Sequence, residues 1–286
     1  MTTALAPISR TLDVAGLRVH YLDWGNPGAP PMVCVHGYTS SAQAFNALAR
    51  RFRDRHHIVA ADVRGHGESA WSTSGAYQYS DQVADLAALV DRLALSRFTL
   101  VGTSMGGIIA MAYAGAHPDR LARLVLNDIG PDVEVGSQRI TQMVGSRPDE
   151  FATLDDAMAY RRQMSPIVAG RSLEDQRELA LGVLRQRPDG RWIWKMDPEY
   201  IRQRLQKGAP TRPALWPALA RVTCSTLVVW GKDSDVLSEA QARRMVETLP
   251  KGELVTVPDV GHAPTLVEPV VIAALERFLG ATAGTA

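Results

Sequence analysis

The stretch "FTLVGTSMGGIIAMAYA", residues 98–114, limits the possible folds more than any other part of this chain. Its first half is an apolar, β-branched run, as expected for a strand covered on both faces. Its second half is apolar at every turn of a helix. Only Gly102-Thr103-Ser104-Met105-Gly106 lies between them. The chain must therefore pass from strand to helix through one tight turn. Small residues two places before and two places after Ser104 are what that close approach requires. Such a turn holds the Ser104 hydroxyl out at the carboxyl end of the strand, beside a helix N-terminus that favours developing negative charge.

A strand buried on both faces needs helices on both sides, and the flanking sequence supplies them. Strand signals occur at 18–25, 31–37 and 56–65, and again in "LARLVLND". Helical spacing occurs at 41–52, at 80–93 with Ser80 as the expected N-cap, and after Gly106 until Pro118. This alternation predicts an α/β fold with a mostly parallel sheet flanked by helices. The rhythm stops after Gly130-Pro131. Residues 132–216 read as short amphipathic helices interrupted by the aromatic piece "DGRWIWKMDPEY". Strand–helix alternation resumes at "STLVVWG" (225–231) and ends in a helix over 266–279. The expected organisation is one core, 1–131 with 217–286, and a helical cap at 132–216. An insertion that long inside a compact domain is more often a lid or binding element than a plain loop.

Lys and Arg total 31 against 30 Asp and Glu, a balance with no nucleic-acid footprint. Cys34 and Cys224 sit in apolar runs and read as buried, unpaired thiols of a reducing compartment. No apolar leader or membrane-length stretch is present, so a cytoplasmic protein with no membrane partner is expected. Oligomeric state is left open.

A serine hydroxyl needs a base within hydrogen-bond reach and a third group to orient that base. Of the seven histidines, His262 in "VPDVGHAPTLVEP" falls between the last strand and the last helix, where a loop returns to the edge at which Ser104 emerges. The other strand and helix-end histidines read as structural. An oxyanion developing at Ser104 would be met by the backbone N–H of Met105, and by that of Tyr38 from the loop "VCVHGYTSS". His36 and Gly37 would shape that loop. No metal-ligand spacing links His36, His66 and His262, so neither metal nor cofactor is expected.

"HGYTSS", "DVRGHGES", "GTSMGG" and "DVGHAP", in this order, resemble the α/β-hydrolase superfamily over nearly the whole chain. The resemblance implies an eight-stranded sheet, a helical cap inserted after strand six, Ser104 as nucleophile, His262 as base, and an acid lying between them in sequence. In most of that superfamily the acid is the third residue beyond a glycine after strand seven. Here that position is Ser234, flanked by Asp233 and Asp235, so the pattern is missed by one residue either way. In some branches the acid ends strand six, which here is Asp128. Asp128 is favoured, with Asp235 as the alternative and Asp233 behind it.

These residues describe acyl transfer to water. The expected substrate is an uncharged carboxylic ester or lactone of small to medium size. Trp192, Trp194 and Met158 are the candidate pocket residues, because aromatic and thioether side chains give an adaptable apolar wall. A C–C bond hydrolase, a thioesterase, a perhydrolase or a non-catalytic small-molecule receptor would share the core.

Overall fold

The computed structural model describes residues 6–14, 16–132, 136–208 and 210–280. The strands are β1 (Ile8–Val14), β2 (Leu17–Asp23), β3 (Pro31–Val35), β4 (His57–Ala61), β5 (Phe98–Thr103), β6 (Leu121–Asn127), β7 (Glu150–Phe151), β8 (Leu184–Gln186), β9 (Trp192–Trp194), β10 (Ser225–Gly231) and β11 (Gly252–Val257). The main sheet has eight strands in the order β1-β2-β4-β3-β5-β6-β10-β11. β1 pairs antiparallel with β2, and β2 with β4; every other neighbour is parallel.

The helices are α1 (Asn46–Phe52), α2 (Tyr79–Arg92), α3 (Met105–Ala116), α4 (Gly136–Gly145), α5 (Leu154–Met164), α6 (Pro166–Ala169), α7 (Leu173–Val183), α8 (Pro198–Lys207), α9 (Leu215–Ala220), α10 (Glu239–Thr248) and α11 (Pro269–Gly280). Side chains from α2, α3, α9 and α10 build one core on one face of the sheet, with Leu86, Ile108, Leu219 and Met245 among its buried members. α1 and α11 build the other, with Phe52, Leu275 and Phe278. A sheet covered on both faces explains why its central strands are almost continuously apolar. Cys34 and Cys224 are buried free thiols.

Three features differ from the sequence expectation. β1 was not anticipated, because Ser9, Arg10, Thr11 and Asp13 make it a polar edge strand whose contact with the core is confined to Leu12 and Val14. Ser80 lies inside α2 rather than capping it. The helix begins at Tyr79, and the Gln78 N–H donates to Asp81 Oδ2 at 2.8 Å. The inserted segment also contains strands: β7, β9 and β8 form a small antiparallel sheet of their own. The turn at Asp189-Gly190, with Gly190 at φ +86°, reverses the chain between β8 and β9. α9 straddles the expected boundary at 216 and packs on α3, where Gly115 lies against Ala218.

Candidate active site

β5 lies at the centre of the sheet, between β3 and β6. Their carboxyl ends therefore open side by side. Ser104, at the end of β5, has φ 53° and ψ −118°, a conformation that a non-glycine residue adopts only when its surroundings enforce it. The surroundings are tight. A Cβ at Gly102 would lie 2.4 Å from the Gly106 carbonyl oxygen, and one at Gly106 would lie 2.0 Å from the Val35 carbonyl oxygen. α3 starts at Met105 and is seated directly on the ends of β5 and β3.

Asp128 follows β6 with φ 54° and is fully buried. Its Oδ1 accepts the Gly231 N–H at 3.0 Å. Its Oδ2 accepts the Ser234 hydroxyl at 2.6 Å and His262 Nδ1–H at 2.8 Å. His262 Nε2 in turn accepts the Ser104 hydroxyl at 2.8 Å. Three loops thus deliver one unbroken hydrogen-bond chain, and the imidazole has its tautomer fixed by the buried carboxylate.

The alternative acids lie elsewhere. Asp235 is gripped by Arg139, at 2.5 and 2.9 Å, and that guanidinium holds its carboxyl below the usual range. Asp233 is exposed, and its backbone N–H bonds the Val260 carbonyl at 3.0 Å. The expectation of Asp235 is corrected on that ground: an exposed carboxylate already paired with arginine is not the partner of this imidazole. Sequence reasoning missed the role of Ser234. It accepts the N–H groups of Val236 and Leu237, at 3.1 and 3.2 Å, which aims its own hydrogen at Asp128. The signal was visible as a hydroxyl at the position where a carboxylate is commonest.

The loop after β3 lies against Ser104: a Cβ at Gly37 would sit 3.3 Å from Ser104 Cβ. The Gly37 carbonyl accepts His36 Nδ1–H at 2.7 Å and the Ser40 N–H at 3.1 Å. That carbonyl belongs to the same trans peptide as the Tyr38 N–H, so fixing the oxygen directs the N–H to the opposite side. His36 Nε2 accepts the Val63 N–H at 3.0 Å, and burial lowers the affinity of the ring for a proton. His66 Nε2–H donates to the Tyr38 carbonyl at 2.5 Å, and burial pushes its pKa down to about 4. Both histidines are buried neutral hydrogen-bonders of this loop.

Asp62 ties the neighbouring segments together. Its Oδ1 accepts the Ala42 N–H at 2.7 Å, and its Oδ2 accepts the Glu68 N–H at 2.9 Å and His20 Nδ1–H at 2.7 Å. Burial alone would raise its pKa, but the His20 bond, the other histidine and the backbone donors hold it below the ordinary value.

The candidate pocket residues separate. Met158 is 7% exposed and belongs, with Phe151, Leu154 and Val183, to the inserted segment's own small core, against which Trp192 and Trp194 pack. For Met158 the pocket expectation is corrected, because its apolar surface is used inside the segment. Trp194 also reaches a cleft shared with Thr39, Ser40 and Met196, and its indole N–H donates to the Pro148 carbonyl at 2.7 Å.

A doubly covered parallel sheet with a strained serine at the end of its central strand defines an α/β hydrolase. A family profile described as alpha/beta hydrolase fold matches residues 30–269, and the chain belongs to that family. It is similar, at 34% identity over 92% of its length and 94% of the relative's, to a 3-hydroxybutyrate-oligomer hydrolase of Cupriavidus necator. Among solved structures it resembles an alpha/beta hydrolase from Novosphingobium aromaticivorans, with 33% identity, a TM-score of 0.85, and coverage of 96% of this chain and 98% of that one. An E-2-(acetamidomethylene)succinate hydrolase structure also has a TM-score of 0.85, at 27% identity over 96% of this chain and all of its own.

Proposed function

We propose that this hydrolase cleaves carboxylic esters through an acyl-enzyme. Ser104 Oγ attacks the ester carbonyl while His262 Nε2 takes its proton. Asp128 keeps the other ring nitrogen protonated and stabilises the imidazolium. The tetrahedral oxyanion is met by the N–H groups of Met105 and Tyr38. His262 then protonates the departing alkoxide, and in the second half-reaction it activates water to release the acid from Ser104. The inserted segment is the cap that closes over this site. The observation that carries the proposal is the continuous bond chain Asp128–His262–Ser104 ending on a serine at φ 53°. The 34% identical relative is named for hydrolysing 3-hydroxybutyrate oligomers, and oligomers of a hydroxy acid are joined by esters, which fits the same chemistry.

The test combines fluorophosphonate labelling with turnover of p-nitrophenyl esters. Native protein is expected to do both, and Ser104→Ala neither. Asp128→Asn should lower kcat by about 10³–10⁴-fold, as loss of the orienting carboxylate does in such sites. Asp235→Asn should leave kcat within about threefold, since its carboxylate serves Arg139. No labelling of native protein, or the reverse order of the two aspartate variants, would sink this assignment.

A further inference from the structure

Helix α8 of the inserted segment is fastened to the core at its first turn. Asp197 caps it, accepting the Glu199 N–H on Oδ1 at 2.8 Å, and Pro198 occupies the first helical position. The Asp197 N–H donates to the Gly65 carbonyl at 2.9 Å, and Asp197 Oδ2 accepts the Tyr77 hydroxyl. Tyr200, on the same turn, is 1% exposed. Its ring stacks on that of Tyr77, with centroids 4.4 Å apart and planes 5° from parallel. Its hydroxyl accepts Gln82 Nε2–H at 2.8 Å and donates to Met105 Sδ at 3.5 Å. A tyrosine held on its face and at its hydroxyl has one orientation open to it.

The two residues whose N–H groups meet the oxyanion both touch this one side chain. Met105 does so through its sulfur. Tyr38 does so edge-on, with ring centroids 5.2 Å apart and planes at 89°. His66, which donates to the Tyr38 carbonyl, also meets Tyr200 edge-on, at 5.5 Å and 88°. Tyr200 thus supports the Tyr38 ring and the imidazole that holds the Tyr38 carbonyl. Arg204, one turn further along α8, places its guanidinium 4.5 Å from the centre of the Tyr38 ring. A backbone N–H has no torsion of its own to adjust. Its aim follows from how the residue that carries it is packed, and a donor turned away from the oxyanion loses most of its effect.

We propose that Tyr200 is a positioning residue for the oxyanion hole: from the inserted segment it sets the aim of the Met105 and Tyr38 N–H groups, acting through those residues rather than on the substrate. The segment then does more than cover Ser104, because the donors are aligned only when α8 is seated on the core. The proposal rests on the acyl-enzyme reading and deepens it.

The experiment compares p-nitrophenyl butyrate with its thiono analogue, in which sulfur replaces the carbonyl oxygen. Sulfur accepts hydrogen bonds weakly, so the thionoester gains little from the hole, and the ratio of the two kcat values reads donor alignment. A smaller folded fraction lowers both rates alike and leaves that ratio unchanged. The native ratio should exceed the ratio for the same two esters in hydroxide solution by about 10²-fold or more, the effect of well-aimed donors. Tyr200→Leu should narrow it by about tenfold, through kcat for the oxygen ester, with KM little changed. Tyr200→Phe keeps the ring and loses the bond to Met105, and should narrow it by about threefold. Narrowing in Tyr200→Leu alone would uphold the role through the ring. Rates for both esters that fall by one factor in Tyr200→Leu would overturn it; where that variant does not fold, an unchanged ratio in Tyr200→Phe would do so. Native protein that turns over the ester with a hydroxide-like ratio would remove the hole and the role of Tyr200, but leave the Ser104 chemistry. Native protein that turns over neither ester strikes the acyl-enzyme reading itself, and the positioning role falls with it.

Discussion

At the scale of single residues, the site depends on how the buried Asp128 is satisfied. Its carboxylate accepts three donors from β10, from the segment after it and from the loop before α11, and each bond limits its rotation. Ser234→Ala deletes the shortest of these, 2.6 Å, and leaves the carboxylate freer to turn from His262. The variant should lose about tenfold in kcat, with KM little changed and the fold intact, while Ser234→Thr, which retains the hydroxyl, should recover most of the loss. An alanine variant as active as the native enzyme would show that the Gly231 N–H and His262 suffice. Ser104 and His262 were singled out from their neighbours along the chain, because a strand–turn–helix and a loop between the last strand and helix are local patterns. Ser234 was not, because a serine flanked by two aspartates looks like a solvated turn until the buried carboxylate opposite it is seen.

At the scale of elements, the turn works because β5, α3 and the end of β3 leave no room between them. Gly106→Ala would place a methyl 2.0 Å from the Val35 carbonyl oxygen, so α3 would have to shift away from the sheet. A loss of about 3 kcal/mol, at the upper end of ordinary overpacking, is expected by urea denaturation, along with loss of fluorophosphonate labelling. Wild-type stability in this variant would mean that α3 is loosely seated. The central strands and flanking helices could be anticipated because burial on both faces leaves a compositional mark. The edge strand β1 and the short β7, β8 and β9 could not, since each is held by pairing with a partner rather than by an apolar period.

At the scale of the whole molecule, several buried groups make folding depend on pH in one direction. His66 is 1% exposed and its pKa is pushed to about 4, against about 6.5 in an unfolded chain. Between those values the unfolded state binds the extra proton, so stability is full above about pH 6.5 and falls as the pH approaches 4. The contribution is at most about 3 kcal/mol. The depressed pKa of His36 acts in the same sense, and that of Asp62 adds its own loss at lower pH. Melting temperature should therefore drop steadily from pH 7.5 to 4.5, and His66→Gln should flatten that slope; a flat native profile would contradict it. The chain alone determined the alternation of strands and helices and the sharp turn at Ser104, since both follow from which neighbours along the backbone are small, apolar or β-branched. Only the tertiary structure brings Asp128, and not Asp233 or Asp235, within hydrogen-bond distance of His262. That outcome depends on which groups from distant segments come within a few ångströms of one another, a distance that sequence order does not record.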